Sequence, residues 1–188
     1  RNIILNPKVS GIRATNNFTG LSPARTTIIG NIIITKLNQG KGIEDNGNYG
    51  AIILGNVVHC TTNQTSPGTG VDQESWAGIT SYGGQYGKIS DNAVLGPYHD
   101  GIKLYRFEYM SSPLMPDNYI VSDNTIRGAY RDGIRVEVNS TYTLNNVSIK
   151  DNRISECRAA GIALTHNGAP GAANDIRITD NDIYNCGQ

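Results

Sequence analysis

Two pentapeptides, Tyr98-His99-Asp100-Gly101-Ile102 and Tyr130-Arg131-Asp132-Gly133-Ile134, repeat one pattern and differ in the residue before the aspartate and nowhere else in their polar chemistry. Side by side, Asp100 and Asp132 would form a pair of carboxylates. At about 5 Å such a pair suits a retaining glycosidase, and a wider pair with a water between suits an inverting one. Their mutual repulsion would raise one pKa and set an acid beside a base. The same oxygens would take a hard cation, Ca2+ being the one cofactor this pattern suggests. His99 has the intrinsic pKa for proton transfer, with Arg131 and Tyr98 as neighbouring substrate-binding side chains. A structural reading stands beside this one. Asp-Gly is a common turn pair, and each aspartate would then cap backbone amides where a strand begins.

Two such segments have to be brought into register by something, and the rest of the chain supplies it. An asparagine with an apolar residue three before and another two after recurs as Ile28-Asn31-Ile33, Ile53-Asn56-Val58, Ile89-Asn92-Val94, Val121-Asn124-Ile126, Ile149-Asn152-Ile154 and Ile178-Asn181-Ile183. Between these lie Gly-Ile pairs at Ile12, Ile43, Ile79, Ile102, Ile134 and Ile162, several continuing with period-2 apolar spacing. The period between asparagines is loose while the offsets around each are rigid, as in a solenoid whose strands stack and whose loops vary. The pattern predicts about six rungs of three short strands: one from each Gly-Ile pair, one before each asparagine and one after it. The asparagine is expected to take the left-handed conformation of a tight corner and to bond through its amide to the asparagines above and below. Cys157 and Cys186 fall at equivalent positions and are expected to stack as free thiols.

The Gly-Ile-x-apolar strands with apolar-x-x-Asn-x-apolar corners, from Gly11 to Cys186, resemble the right-handed parallel β-helix of the pectin-lyase-like superfamily: pectate lyases, polygalacturonases, alginate epimerases and phage tailspikes. The resemblance implies one all-β solenoid domain over 1–188, read as a piece of a longer chain, with a polysaccharide groove along the Gly-Ile sheet. The Tyr-His-Asp string is similar to part of an alginate epimerase motif whose remainder is absent, as is the polygalacturonase set of paired aspartates with Gly-His-Gly and Arg-Ile-Lys.

With each isoleucine inward, one outward column reads Arg13, Glu44, Thr80, Lys103, Arg135, Ala163, and the next reads Thr15, Asn46, Tyr82, Tyr105, Glu137, Thr165. Lys103 and Arg135 would be lateral neighbours, a like-charge pair that costs stability unless Glu137 or a bound anion compensates. A uronate or sialate over them, with Tyr82 and Tyr105 facing sugar rings, is the functional expectation; an exposed Arg135–Glu137 pair of little consequence is the structural one. Trp76, in the longest insertion, is either a sugar platform or a plug for its loop. His166, just past the Ile162 strand, is a further substrate-side candidate.

Sixteen basic and sixteen acidic residues cancel, against any broad attraction to nucleic acid or anionic membrane, and no apolar run is long enough to span a bilayer as a helix. Many glycines and asparagines and few aromatics suit turn-rich β-structure. The function expected is degradation of an extracellular or capsular polysaccharide. It would proceed either by hydrolysis through Asp100, Asp132 or Glu137, or by elimination on a uronate assisted by Lys103 or Arg135. The alternative is a non-catalytic spacer or glycan- or receptor-binding segment of a tail fibre or adhesin. A tailspike would be a homotrimer at the virion surface.

Overall fold

A computed structural model of the chain describes residues 1–15, 25–36, 41–61, 76–105, 117–139, 143–167 and 173–187, with backbone alone at 138, 139, 166 and 167. Among the described residues there is no helix, and every strand pairs in parallel with its equivalent one rung away. The Gly-Ile sheet stacks strands Ser10–Thr15, Lys41–Asn46, Ala77–Tyr82, Asp100–Tyr105, Asp132–Asn139 and Ile162–Asn167. The sheet before the asparagine corner stacks Thr27–Ile29, Ile52–Leu54, Lys88–Ser90, Tyr119–Ser122, Leu144–Lys150 and Ala173–Thr179. The sheet after it has seven strands, from Ile3–Leu5 to Asp182–Tyr184. The expected rungs are therefore present in the expected register.

The core is columns of isoleucine and valine. Ile43, Ile79, Ile102 and Ile134 from one sheet meet Ile53, Ile89, Val121 and Ile149 from the second and Val58, Val94, Ile126 and Ile154 from the third, all sealed from water. The glycine before each isoleucine has a steric cause. At Gly11, Gly42, Gly78, Gly101, Gly133 and Gly161 a Cβ would stand 2.1–2.4 Å from a γ carbon of Ile33, Val58, Val94, Ile126, Ile154 or Ile183. Glycine and isoleucine both face the core at this corner, so strict alternation breaks, and the aspartates before Gly101 and Gly133 turn outward instead of inward.

At the opposite corner the asparagines form a ladder. Each Oδ1, from Asn31 to Asn181, accepts both the backbone N–H and the Nδ2 hydrogen of the asparagine one rung earlier, at 2.9–3.0 Å. Asn2 starts it, one rung before the first asparagine of the sequence pattern. The expected left-handed conformation is not at these asparagines. It falls on the residue just before each, namely Gly30, Gly55, Asp91, Asp123, Asp151 and Asp180, with φ between 56° and 65°. Two residues divide the work: glycine or aspartate makes the turn, and asparagine keeps ordinary backbone angles so that its amide aligns with the next. Cys157 and Cys186 are free thiols, and burial first, then the neighbouring Cys186, pushes the Cys157 thiol up to about 12.

Candidate functional site

The outward face of the Gly-Ile sheet holds the chemistry, and its register follows from the core. Pairing Ile102 with Ile134 sets Asp100 beside Asp132, Lys103 beside Arg135 and Tyr105 beside Glu137. The like charges are compensated by protein. Glu137 Oε2 accepts from Lys103 Nζ at 3.0 Å and from Arg135 Nε at 3.2 Å, and Arg135 also donates to Asp132 Oδ2 at 2.9 Å. The Arg135–Glu137 pair expected on the surface is formed, but little of it is exposed: the Arg135 and Glu137 side chains keep 12% and 2% of their exposure, and Lys103 keeps 3%. Burial raises the Glu137 carboxyl, but Lys103 and Arg135 outweigh it and hold the group below its ordinary value.

Asp100 and Asp132 do not form the expected acid and base. Arg131 lies between them, with a two-point bond to Asp100 at 3.0 and 2.7 Å and its Nε 3.4 Å from Asp132. Asp100 is fully buried; that raises its carboxyl, yet His99 and Arg131 more than offset the effect and its pKa lies below the ordinary range, opposite to the raised acid a bare pair would contain. Asp132 also accepts the backbone N–H of Ala160 at 3.0 Å, the capping role of the structural reading. Among the described residues no three His, Cys, Asp or Glu side chains gather as a metal site.

His99 sits at the corner entering this sheet. Its Nδ1 is buried 3.5 Å from Asp100 Oδ2, too far and too poorly aligned for a formed hydrogen bond. Its ring stacks with Tyr130 at 6.4 Å, and the Arg158 guanidinium lies 4.6 Å from the Tyr130 ring. Tyr130 and Arg158 escaped the sequence reading, although both stand three before a repeat glycine, Gly133 and Gly161. Tyr98, at the same offset from Gly101, is corrected: it is 2% exposed, inside the core, bonded to Thr35 at 2.6 Å, and its buried ring offers no face to a substrate.

Tyr82 and Tyr105 meet edge to face at 5.7 Å. Lys41 donates to the Tyr82 hydroxyl at 2.8 Å and to Glu44 at 3.0 Å, while Lys103 lies 4.7 Å from the Tyr105 ring. Trp76 is half-buried and packs against the core, and its carbonyl accepts the His99 amide at 2.9 Å, while the insertion before it lies outside the described residues. The His166 side chain lies outside the described residues.

One buried carboxyl was not singled out in the sequence. Asp45 points inward among Asn48, Ser81 and Tyr119, with bonds from Asn48 Nδ2 and from Ser81 Oγ at 3.1 Å. Burial, against the opposing pull of those two bonds, pushes it up to about 6. It occupies the column of Leu104 and Val136, where its type breaks the apolar pattern.

Comparison with solved structures finds the crystal structure of a mutant of the periplasmic alginate epimerase AlgG, at 12% identity and a TM-score of 0.53. The match covers 98% of this chain and 50% of that one, so the chain spans half the length of that structure, and at this identity the likeness is one of fold. Curated protein sequences contain no match. A family profile described as the right handed beta helix region matches residues 1–183. With nineteen parallel strands in three sheets among the described residues and an asparagine ladder along one corner, the chain belongs to the right-handed parallel β-helix family.

Proposed function

We propose that the protein is a polysaccharide lyase acting on a uronate-containing glycan along the outward face of the Gly-Ile sheet. The observation that carries this reading is His99 set against an Asp100 carboxylate that Arg131 keeps ionised. Hydrolysis by paired carboxyls needs one of them protonated near neutral pH, whereas Glu44, Asp100 and Glu137 on this face are all held low. A low Asp100 suits a different task. Its negative charge, 3.5 Å from Nδ1, would stabilise the imidazolium that forms once the ring has taken a proton through Nε2.

In the step itself the imidazole takes the proton α to the uronate carboxylate. The electron pair left behind forms the ring double bond as the bond to the departing glycosidic oxygen breaks, and that oxygen takes a proton from solvent water as it leaves. Arg131, still 22% exposed, and Arg135 supply positive charge for the substrate carboxylate, whose neutralisation acidifies the α-proton. The neighbouring fold of an alginate epimerase is in keeping with a polyuronate ligand.

A second reading, a non-catalytic spacer or glycan- or receptor-binding segment of a tail fibre or adhesin, is favoured by the way Lys103, Arg135 and Glu137 satisfy one another without a ligand. Both readings set the protein among glycans outside the cytoplasm or at a virion surface, and its tailspike form would be a homotrimer. Incubation with polygalacturonate and with alginate separates them. Ultraviolet absorbance of an unsaturated product that disappears in His99→Ala supports elimination; new reducing ends without that absorbance mean hydrolysis; neither signal leaves the non-catalytic reading.

A further inference from the structure

A second cluster lies away from the Gly-Ile face, on the corner between that sheet and the sheet before the asparagine ladder. One position on this corner has a left-handed backbone in rung after rung: Gly50, Tyr86, Asn118, Asn146 and Asp175, with φ between 51° and 67°. Glycine, asparagine and aspartate are the residues that tolerate this conformation, and a bulky aromatic is a true exception. Tyr86 is that exception. Burial does not explain it, because the side chain is 54% exposed, whereas the ring that fills the space beneath Gly87 belongs to Tyr119.

The Tyr86 ring instead meets Tyr49 of the preceding rung, at 4.8 Å between centroids and a 44° tilt, and Tyr49 is itself 39% exposed. Side-chain amides continue the row. On the next two rungs Asn146 donates to Asn118 Oδ1 at 2.9 Å on the surface. Two half-exposed aromatic rings in mutual contact, followed by neutral amides in a line whose rung spacing of about 4.8 Å is close to the length of one pyranose unit, match a sugar chain laid along the solenoid axis. The faces take the C–H side of a ring, and the amides take its hydroxyls.

We infer that Tyr49 and Tyr86 form an accessory platform that holds a pyranose ring of the polysaccharide outside the reaction groove. The platform rests on the reading of the protein as one that acts on a polysaccharide. Strain kept at an exposed position is what a ligand contact would retain, since a residue of the column's usual kind relieves it.

The test compares Tyr86→Asn and Tyr49→Ala with the unaltered protein by retardation in native gels containing alginate, polygalacturonate or dextran, with thermal melting and light-scattering mass measured in parallel. Tyr86→Asn is expected to melt at the same temperature or higher, with its backbone angle now that of Asn118, and to bind the retaining polymer about tenfold more weakly. Turnover of short oligosaccharides should be unchanged. A lower melting temperature with unchanged retardation makes Tyr86 a structural residue and overturns the platform. Unaltered protein that is retarded, with both variants retarded equally, overturns the platform alone. Protein retarded by no polymer overturns both the platform and the polysaccharide reading. Self-association lost in Tyr86→Asn overturns it in favour of a contact between copies.

Discussion

Two polar stacks run along this solenoid, one at the asparagine corner and one on the outward face of the Gly-Ile sheet, and both are buried. The ladder repeats a single neutral residue, and its amides bind backbone: Asn92 Oδ1 takes the Asn56 N–H, and its Nδ2 serves the carbonyls of Ile53 and Ser90. The second stack changes residue at each rung, is charged, and ties mostly side chain to side chain, as in Lys103–Glu137–Arg135–Asp132–Arg131–Asp100. The first satisfies groups that the fold creates and cannot remove. The second satisfies groups that evolution could have replaced by apolar ones, often without loss of stability. Repetition therefore marks scaffold here, and departure from repetition marks the face to which the proposed function assigns its chemistry.

The widest separation between the stacks should appear when one member is deleted and when a whole set is exchanged. Asn92→Leu orphans the Asn56 amide and two carbonyls and is expected to cost roughly 3–5 kcal/mol by chemical denaturation. Glu137→Ala strands Lys103 and Arg135 and should cost a similar amount, about 3–5 kcal/mol. Exchanging all three of Lys103, Arg135 and Glu137 for methionine should return stability to within about 1–2 kcal/mol of the original, while the uronate elimination that the proposed function assigns to this face should be lost. No equivalent apolar exchange should rescue the ladder, because its backbone partners remain.

Next in size is a pH effect with opposite signs in two places. Glu44, Asp100 and Glu137 have lowered folded-state values, so the stability they contribute is complete above the ordinary carboxylate range and is lost as pH falls through those lowered values. Asp45 rises from 3.8 to about 6, so the folded state binds its proton more tightly than the unfolded chain. Its contribution is best below pH 3.8 and declines as pH rises to about 6, beyond which the deficit is constant. Asp45→Asn should raise stability at pH 8 by at most about 3 kcal/mol and remove that slope from melting curves taken between pH 4 and 6. The smallest effect is expected at Arg127, whose bond to Glu156 is exposed at both ends: Arg127→Ala should leave the melting temperature unchanged, most clearly in high salt.

Most of the rung register was legible in the sequence, because an in-register stack copies one offset many times and six copies of apolar-x-x-Asn-x-apolar leave little freedom. The site was legible in part. Lys103 beside Arg135 and Asp100 beside Asp132 follow from aligning Ile102 with Ile134. Their state did not follow. That Arg131 would enter between the two aspartates, and that Glu137 would neutralise two cations at once, depends on side-chain direction and reach, which spacing does not contain. Tyr98 and Tyr130 share one offset, yet one ring is in the core and the other is half-buried between His99 and Arg158. Asp45 shares an apolar column, and only its neighbours Asn48 and Ser81 explain how it is kept there.

By itself the sequence determined the periodicity: which residues stack on which, which isoleucines form the core, and that a glycine recurs before each of them. Tertiary structure decided the electrostatics. Burial and the side chains of neighbouring rungs set whether a charge is paired, which way an aspartate turns at a glycine corner, and which of two equivalent tyrosines reaches solvent. The physical reason is range. Stacking repeats a local rule at fixed spacing, whereas a pKa or a substrate contact sums over all groups within a few ångströms, wherever in the chain they originate.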